Sequence, residues 1–477
     1  MRVHADSRGR RWGRSSLIAL ALLPALAAAA GGPTEDPAEA RWESWRADLD
    51  HLYELVEEPH TLRQIFDVKG IDWKAVRGET DARFRDLAKE AKKRRRDDEA
   101  ADQVAFYGLL HHLVGQLRDS HARLVVDPKI QEAWQAAQPK RLEAGIEFLP
   151  GTQDLILVAN TFAARGANSP LYQRGVRHER SFLESVNGVP AGEYFEAKTD
   201  ELWEERGWQS TRTRAGVEAL NDLTLGEGES LELVFQTLDA SDKVVKRYLA
   251  STGKKRDREF KRLKWKQKKL TLHAGECEQA KNARNFRFLA LELPELQATS
   301  DAQLWYGRLP SGNGYVRYLG VSEKSLGAMR EACEALADCP GLVLDMRHNG
   351  GGGDSAVQAF DSEEGVWKKP VAILMGPKCM SQGETEIWTL QRMREDRRCE
   401  VRFFGSRTAG SSGAKQQFEL PSGFASGQFV IRHWHGGRSE IEGVGLEPDV
   451  AVEQDIVELS VGIDSCLKAA EDWLARP

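Results

Sequence analysis

Apolar positions follow three different rhythms along this chain. Between Trp42 and Val56 they fall at helical spacing (Trp42, Trp45, Leu49, Leu52, Leu55), and a second helical pattern begins at Phe84-Arg85-Asp86-Leu87. Val104 to Leu117 sets Phe106, Leu109, Leu110, Leu113 and Leu117 on one side of a helix. A helical N-terminal region is therefore expected over 39–125. Ile146 to Ala250 changes to a strand-rich pattern with one central helix, and Leu155-Ile156-Leu157-Val158 reads as a strand. This predicts a β-rich domain over 140–252. From Phe286 strands resume and lead into Gly314-Tyr315-Val316-Arg317-Tyr318-Leu319. Beyond it, Leu342-Val343-Leu344 and Val371-Ala372-Ile373-Leu374-Met375 are continuous apolar runs, each followed by a helical segment. Unbroken apolar strands alternating with helices predict βαβ construction and a parallel sheet, hence an α/β core over 286–477.

Composition changes this picture at two places. Overall, 477 residues with 41% hydrophobic and 29% charged content are ordinary for a globular chain of two or three domains. A net charge of −6 offers no general attraction to nucleic acid or to an anionic membrane. Residues 1–30 depart from this average. Arg8, Arg10, Arg11 and Arg14 precede the apolar run Leu17 to Leu26, and Ala27 to Ala30 supply small residues for cleavage. At about 14 apolar residues the run is short of the roughly 20 that a spanning helix needs. It reads as a secretory signal peptide cut near Ala30, which predicts an extracytoplasmic (periplasmic or secreted) protein with no stable membrane insertion after signal removal. The second departure is 254–269, which carries ten Lys and Arg residues interleaved with Phe260, Leu263 and Trp265. In an acidic exported chain this predicts an edge-like strand or a basic linker over 253–285 rather than a nucleic-acid site, because lysines also blunt sheet edges. The six cysteines (Cys277, Cys333, Cys339, Cys379, Cys399, Cys466) are equally open to pairing and to burial as free thiols. None shows metal-ligand spacing with histidine, so no metal and no cofactor is expected.

The candidate chemistry lies between Gly341 and Glu384. The first apolar run ends in Asp345-Met346-Arg347-His348-Asn349-Gly350-Gly351-Gly352-Gly353, and the second leads through Gly376-Pro377 to Ser381-Gln382-Gly383-Glu384 at the start of a helix. No Gly-Lys-Ser/Thr follows Gly353, so the glycines are not a P-loop. Ser355 stands at the third glycine of a dinucleotide fingerprint, which fails as well. A serine opening a helix after a strand sits where backbone N–H groups and the helix dipole favour an anion. On its own, Ser381 reads better as a plain N-cap.

Four ordered segments favour the chemical reading. Leu344-Asp345-Met346-Arg347-His348-Asn349-Gly350-Gly351-Gly352 resembles the D-x-R-x-N-G-G-G segment of the tail-specific (C-terminal processing) and tricorn-type serine peptidases. Ser381-Gln382-Gly383-Glu384 resembles that family's nucleophile segment, and Gly405-Ser406-Arg407-Thr408-Ala409-Gly410 and Glu442-Gly443-Val444-Gly445-Leu446-Glu447-Pro448-Asp449 are similar to its next two landmarks. The resemblance implies a crotonase/ClpP-like βαβ catalytic core and an exported serine peptidase acting on peptides or unfolded proteins. It implies Ser381 as nucleophile and His121 of Asp119-Ser120-His121 as base, with Ser120 assisting. Glu442 is implied as the carboxylate that orients the histidine, with Glu440 a neighbouring alternative that the glycine spacing disfavours. Gln382 with Gly350, Gly351 and Gly352 would supply oxyanion donors. The tail-specific branch uses a lysine just after the glycine of Thr408-Ala409-Gly410. Here Ser411-Ser412-Gly413-Ala414 intervene before Lys415, and Ser120-His121 resembles the tricorn branch. Ser169 to Val176 and Phe182 to Pro190 are similar to PDZ segments, although Arg177-His178-Glu179-Arg180 replaces the usual Gly-Asp. An inactive ligand carrier or PDZ-type peptide-binding protein of the same fold is the alternative function.

Overall fold

The computed structural model describes residues 36–58, 66–94, 97–119, 121–138, 141–143, 146–161, 176, 180–205, 216, 223–226, 228–274, 295–431 and 441–476. The segment expected as a signal peptide, Ser120, Cys277 and Glu440 lie outside these residues, as do Ser169 to Gly175 and the strand expected from Phe286.

The N-terminal helices begin where an aspartate can accept from an unpaired first-turn N–H. α1 (Pro37–Glu57) is capped by Asp36 with proline at its first position. The short α2 (Phe66–Lys69) follows, then α3 (Trp73–Lys93), capped by Asp72, and α4 (Glu99–Gln116), capped by Asp98. α3 starts well before Phe84, where its apolar pattern becomes readable, because its first half is mostly polar and few of its residues are buried. Trp42, Trp45, Leu49, Leu52, Phe106, Leu110 and Leu113 form one buried cluster. Its other wall is distant in sequence and includes Phe418, Leu420, Phe429 and Val430. Buried Asp48 of α1 accepts from the N–H of Ser422 at 2.8 Å and from its hydroxyl, fixing helix to hairpin. β1 (Arg123–Val125) follows, then α5 (Pro128–Ala137).

The β-rich domain contains β2 (Arg141–Glu143), β3 (Ile146–Gly151), β4 (Leu155–Thr161), β5 (Ser181–Val186), β6 (Val189–Pro190) and α6 (Ala191–Glu205). It continues with β7 (Thr224–Gly226), β8 (Ser230–Leu238), α7 (Asp242–Leu249), α8 (Gly253–Phe260) and β9 (Trp265–His273). The antiparallel order is β3-β4-β5-β8-β9, with β6 on β5 and β2 paired to β7. Asn187 and Gly188 both take positive φ between β5 and β6, as a tight hairpin turn requires. Within the stretch expected as an edge-like strand or a basic linker, the described residues form α8 and β9. β9 pairs with β8 along its whole length, from Trp265 opposite Leu238 to His273 opposite Ser230. Leu270 and Leu272 turn inward while Lys266, Lys268 and Lys269 stay exposed, so apolar burial holds the strand and charge covers the sheet edge.

The third unit is built on β10 (Gln297–Ala298), β11 (Leu304–Arg308), β12 (Gly314–Tyr318), α9 (Ser325–Ala335), β13 (Leu342–Asp345), β14 (Val371–Met375), α10 (Gln382–Glu395) and β15 (Val401–Gly405). The hairpin β16 (Ala414–Glu419) and β17 (Ser426–Ile431) follows, then β18 (Val450–Ala451), α11 (Ile456–Leu459) and α12 (Ser465–Leu474). The main sheet runs β10-β11-β12-β13-β14-β15-β18 and is parallel from β12 onward. Leu342, Leu344, Val371 and Ile373 pack with α9 and α10 on one face. Val343, Ala372 and Leu374 pack with α12 on the other. Covering both faces explains the unbroken apolar runs. Outside this sheet, β1 pairs with β17, so the chain just after His121 is hydrogen-bonded to the hairpin that follows the strands. The molecule is thus an α/β protein with a helical N-terminal region and a β-rich domain.

Among the described residues no helix is long and apolar enough to cross a membrane. Cys333, Cys339, Cys379, Cys399 and Cys466 are free thiols.

A cluster of Leu157, Leu238, Val245, Tyr248 and Leu263 with Ile456, Val457 and Leu459 joins the β-rich domain to the end of the α/β unit. Beside it, the hydroxyl of Tyr248 donates to Asp455 at 2.5 Å, and Arg256 donates to Asp455 and Glu458. Ile456 is fully buried at this junction. Ile456→Ala should cost about 2–5 kcal/mol. A lowered melting temperature with earlier proteolytic separation of the two units would report it, and unchanged melting would refute the junction.

Candidate active site

The carboxyl ends of adjacent parallel strands meet in loops that converge on Ser381. The loop after β13 is anchored by charge. Arg347 donates to both oxygens of its near neighbour Asp345 and reaches Asp464 at 2.6 Å, while Tyr315 donates to Asp345 at 2.7 Å. Burial and these partners hold the strand end rigidly, and the neighbouring guanidinium keeps the Asp345 carboxyl ionised despite burial. The Asp and Arg of the D-x-R segment are therefore structural anchors. Asn349 binds the glycine loop to the nucleophile loop. Its side-chain oxygen accepts from Gly351 N–H at 2.9 Å, and its carbonyl accepts from Met380 N–H at 3.0 Å. A Cβ on Gly351, whose φ is +82°, would sit 2.6 Å from Ser381 Cβ and 2.8 Å from Gln382 N. The absence of that atom lets the two loops touch.

The loop after β14 delivers Ser381 to the first position before α10 with φ 56° and ψ −128°, a conformation an L-residue rarely adopts. Its N–H donates to Ser411 O at 2.6 Å. The sequence Ser-x-x-Glu has capping-box spacing, yet neither half of that motif forms. The Ser381 hydroxyl makes no cap bond, and it lies 3.1 Å from His121 Nε2. The plain N-cap alternative is thereby replaced by a serine–histidine pair.

His121 comes from the other side of the molecule, between α4 and β1. Its N–H donates to Asp119 Oδ1 at 2.8 Å, and its carbonyl accepts from Gln428 of β17 at 3.0 Å. Asp119 is wholly buried and also accepts from Val430 N–H at 2.6 Å. Burial pushes this carboxyl up to about 6, with Lys69 opposing and Glu442 adding to the rise. His121 is thus tied to the hairpin that closes over the sheet.

The loop after β15 supplies the third side. Ser411 Oγ lies 3.4 Å from His121 Nδ1. Glu384, fully buried in α10, accepts from Thr408 Oγ1 at 2.5 Å, Gly410 N–H at 2.6 Å and Ser411 N–H at 2.7 Å. Burial pushes Glu384 up to about 8 against those three donors. Glu442 departs from its expected contact. Its oxygens accept from Lys69 Nζ at 2.7 Å and from Ser412 N–H at 2.8 Å, not from His121. A buried carboxylate takes the strongest available donors, here an ammonium and a backbone N–H, so it stands one loop removed from the ring.

The oxyanion donors divide likewise. Gly350 N–H is committed to Leu319 O at 3.0 Å and Gly351 N–H to Asn349. Among the described residues, the N–H groups of Gly352 and Gln382 have no protein acceptor. Gln382 N–H stands at the positive end of α10, a 14-residue helix. Lys415 is exposed on β16, paired across to Val430, and takes no part in this cluster. His111 and His112 remain in α4, where His111 packs on Trp134. Sequence reasoning missed the parts played by Asn349, Glu384, Ser411 and Lys69. Asn349 and Glu384 carried local signals, through the D-x-R-x-N-G-G-G segment and through spacing from Ser381.

Gly351→Ala should force Ser381 and Gln382 apart and, with its strained positive φ, lower the melting temperature. A fall in kcat of about 10²–10³ in the protein that remains folded is expected, the size of losing one oxyanion donor. Activity within a factor of about two of wild type would refute the contact.

These loops are also what known proteins share with the chain. Residues 312–363 and 357–452, which contain the glycine loop, Ser381, Ser411 and Glu442, match the sequence profile of Peptidase family S41. The fold is similar to that of mature CPAF, at 10% identity over 91% of this chain and 97% of that chain, with a TM-score of 0.55. The structure of mature CPAF complexed with lactacystin is similar at 10% identity, covering 91% of this chain and 98% of that one, with a TM-score of 0.54. No curated protein sequence matches the chain. With that profile spanning Ser381 and the loops around it, residues 312–452 carry the pattern of peptidase family S41, and the chain is a serine peptidase.

Proposed function

We propose that this peptidase cleaves peptide bonds of peptides or unfolded proteins by acyl transfer, with Ser381 as nucleophile and His121 as general base. The observation that carries the reading is the 3.1 Å separation of His121 Nε2 from Ser381 Oγ at the amino end of α10. The imidazole takes the hydroxyl proton as Oγ attacks the carbonyl carbon. Collapse of the tetrahedral intermediate breaks the C–N bond, and the imidazolium returns the proton to the leaving amine. Water then enters by the same route and releases the acyl group. Gln382 and Gly352 N–H groups support the oxyanion in this scheme, in place of the full set of glycines. Ser411 faces the far nitrogen of the ring, and Ser120 precedes it in the chain. Glu442 acts at one remove by holding Ser412 N–H, as a positioning group for the Ser411 loop.

The exposure of Lys415 favours the histidine base over a serine–lysine dyad. No comparable observation favours a carrier or a peptide-binding module. The basic and then apolar segment over 1–30 supports export to an extracytoplasmic compartment. N-terminal sequencing of protein from its host should begin close to Gly31, and a mature chain that still carries Leu17 to Leu26 would contradict export.

A fluorophosphonate probe should label wild-type protein at Ser381, and Ser381→Ala should not react. Because the base must be neutral to accept a proton, the labelling rate should rise as pH passes through about 6–7, near the ordinary histidine range. His121→Ala should lose at least about a hundredfold in rate, and Lys415→Ala should stay near wild type. The reverse pattern for those two variants would sink the histidine assignment.

A further inference from the structure

Nucleophile and base reach each other from opposite ends of the chain, so something must fix one against the other. Lys69, at the end of the short α2, is in the right place. Its side chain is 0% exposed and pairs with Glu442, itself 1% exposed, at 2.7 Å. The same Nζ donates to the carbonyl of Arg118 at 3.0 Å. Arg118 answers by donating to the carbonyls of Lys69 at 2.6 Å and Gly70 at 3.3 Å, closing a reciprocal clamp. Arg118 holds a positive φ of 51° and begins the Arg118–His121 segment that carries the base. On the other side, Glu442 Oε2 accepts from Ser412 N–H, next to the Ser411 hydroxyl that faces His121 Nδ1. Gly443, with φ +79°, leaves room for the lysine stem, since a Cβ there would come 3.2 Å from Lys69 Cγ. One ammonium therefore touches both the segment before the base and the carboxylate that holds the loop behind it.

We propose that Lys69 is a positioning residue for the reaction: through Arg118 O and Glu442 it locks the base-bearing segment to the Ser411–Ser412 loop. The inference rests on the assignment of Ser381 and His121 above. It follows from chemistry as well as geometry. A buried ammonium needs its acceptors, and Arg118 O and Glu442, one from each segment, supply them here. Lys69 also balances charge around the base. It pairs with Glu442 and opposes Asp119, while burial pushes Glu384 toward its neutral form. Removing the ammonium leaves the carboxylates unopposed, which favours imidazolium at His121 and moves its titration upward.

The test measures the second-order rate of Ser381 labelling by a fluorophosphonate in the full chain, normalised to sites that label at completion, across pH. Lys69→Met is expected to lower this rate at least tenfold and to shift its acid limb to higher pH. Lys69→Met/Glu442→Gln removes both charges and leaves no unpaired buried ion, so it keeps the fold even if the single variant does not. In it the acid limb should return near wild type while the rate per site stays at least tenfold low. A purely structural lysine would reduce melting temperature and the fraction of sites that label, with rate per site and acid limb unchanged. Wild-type rate per site in the double variant would overturn the inference. Absence of wild-type labelling at Ser381 would instead overturn the assignment on which it rests.

Discussion

The strained backbone at Ser381 is the constraint on which the rest depends. A residue with a side chain at φ 56° and ψ −128° costs on the order of 1–3 kcal/mol, and it persists only where its surroundings leave no alternative. Here they do not. Ser381 N–H is held by Ser411 O, Met380 N–H by Asn349 O, and Ala409 N–H by Cys379 O. Each of these bonds joins the ends of different strands of one parallel sheet. The sheet registers, with Leu344 beside Ile373 and Ile373 beside Phe403, bring the three loop origins level. The strain then turns the hydroxyl away from its own helix and toward the histidine.

Buried charge organises the same region. Carboxylates withdrawn from water survive only with strong donors, and each buried acid here marks a joint. Asp345 joins a strand end to α12 through Arg347, Glu384 joins α10 to the loop after β15, and Asp119 joins the His121 segment to β17. Glu442 joins that loop to the helical region through Lys69. The apolar layers supply cohesion, and these acids supply register between segments that hydrophobic contact alone would let slide. A family profile confined to 312–452 covers the Glu384 joint and stops short of Asp464 and of the helices that precede His121.

Much of the architecture could be read from local pattern. Leu342 to Leu344 and Val371 to Met375 are unbroken because both sheet faces are covered, and the α4 stripe from Phe106 to Leu117 is the buried face of a real helix. Ser381 and His121 were legible through short segments whose residue order mirrors a known family. Less was legible where polar sequence hides a role. The first half of α3 turns only Trp73 and Val76 toward the core from among polar residues, and the lysines of β9 mask the two leucines that pack inward.

What the sequence determined by itself is thus the set of elements, the two chemically paired side chains and the glycines that let loops approach. These depend on residue type and on spacing within a few positions. Tertiary structure alone decided which carboxylate does what. Glu442 keeps the spacing of an orienting acid, yet an ammonium 373 residues away in the chain captures it, and Ser411 faces the histidine instead. No local pattern encodes that exchange, because electrostatic partners inside a protein are chosen by proximity after folding, and Lys69 and Glu442 become neighbours only when the helical region docks on the hairpin.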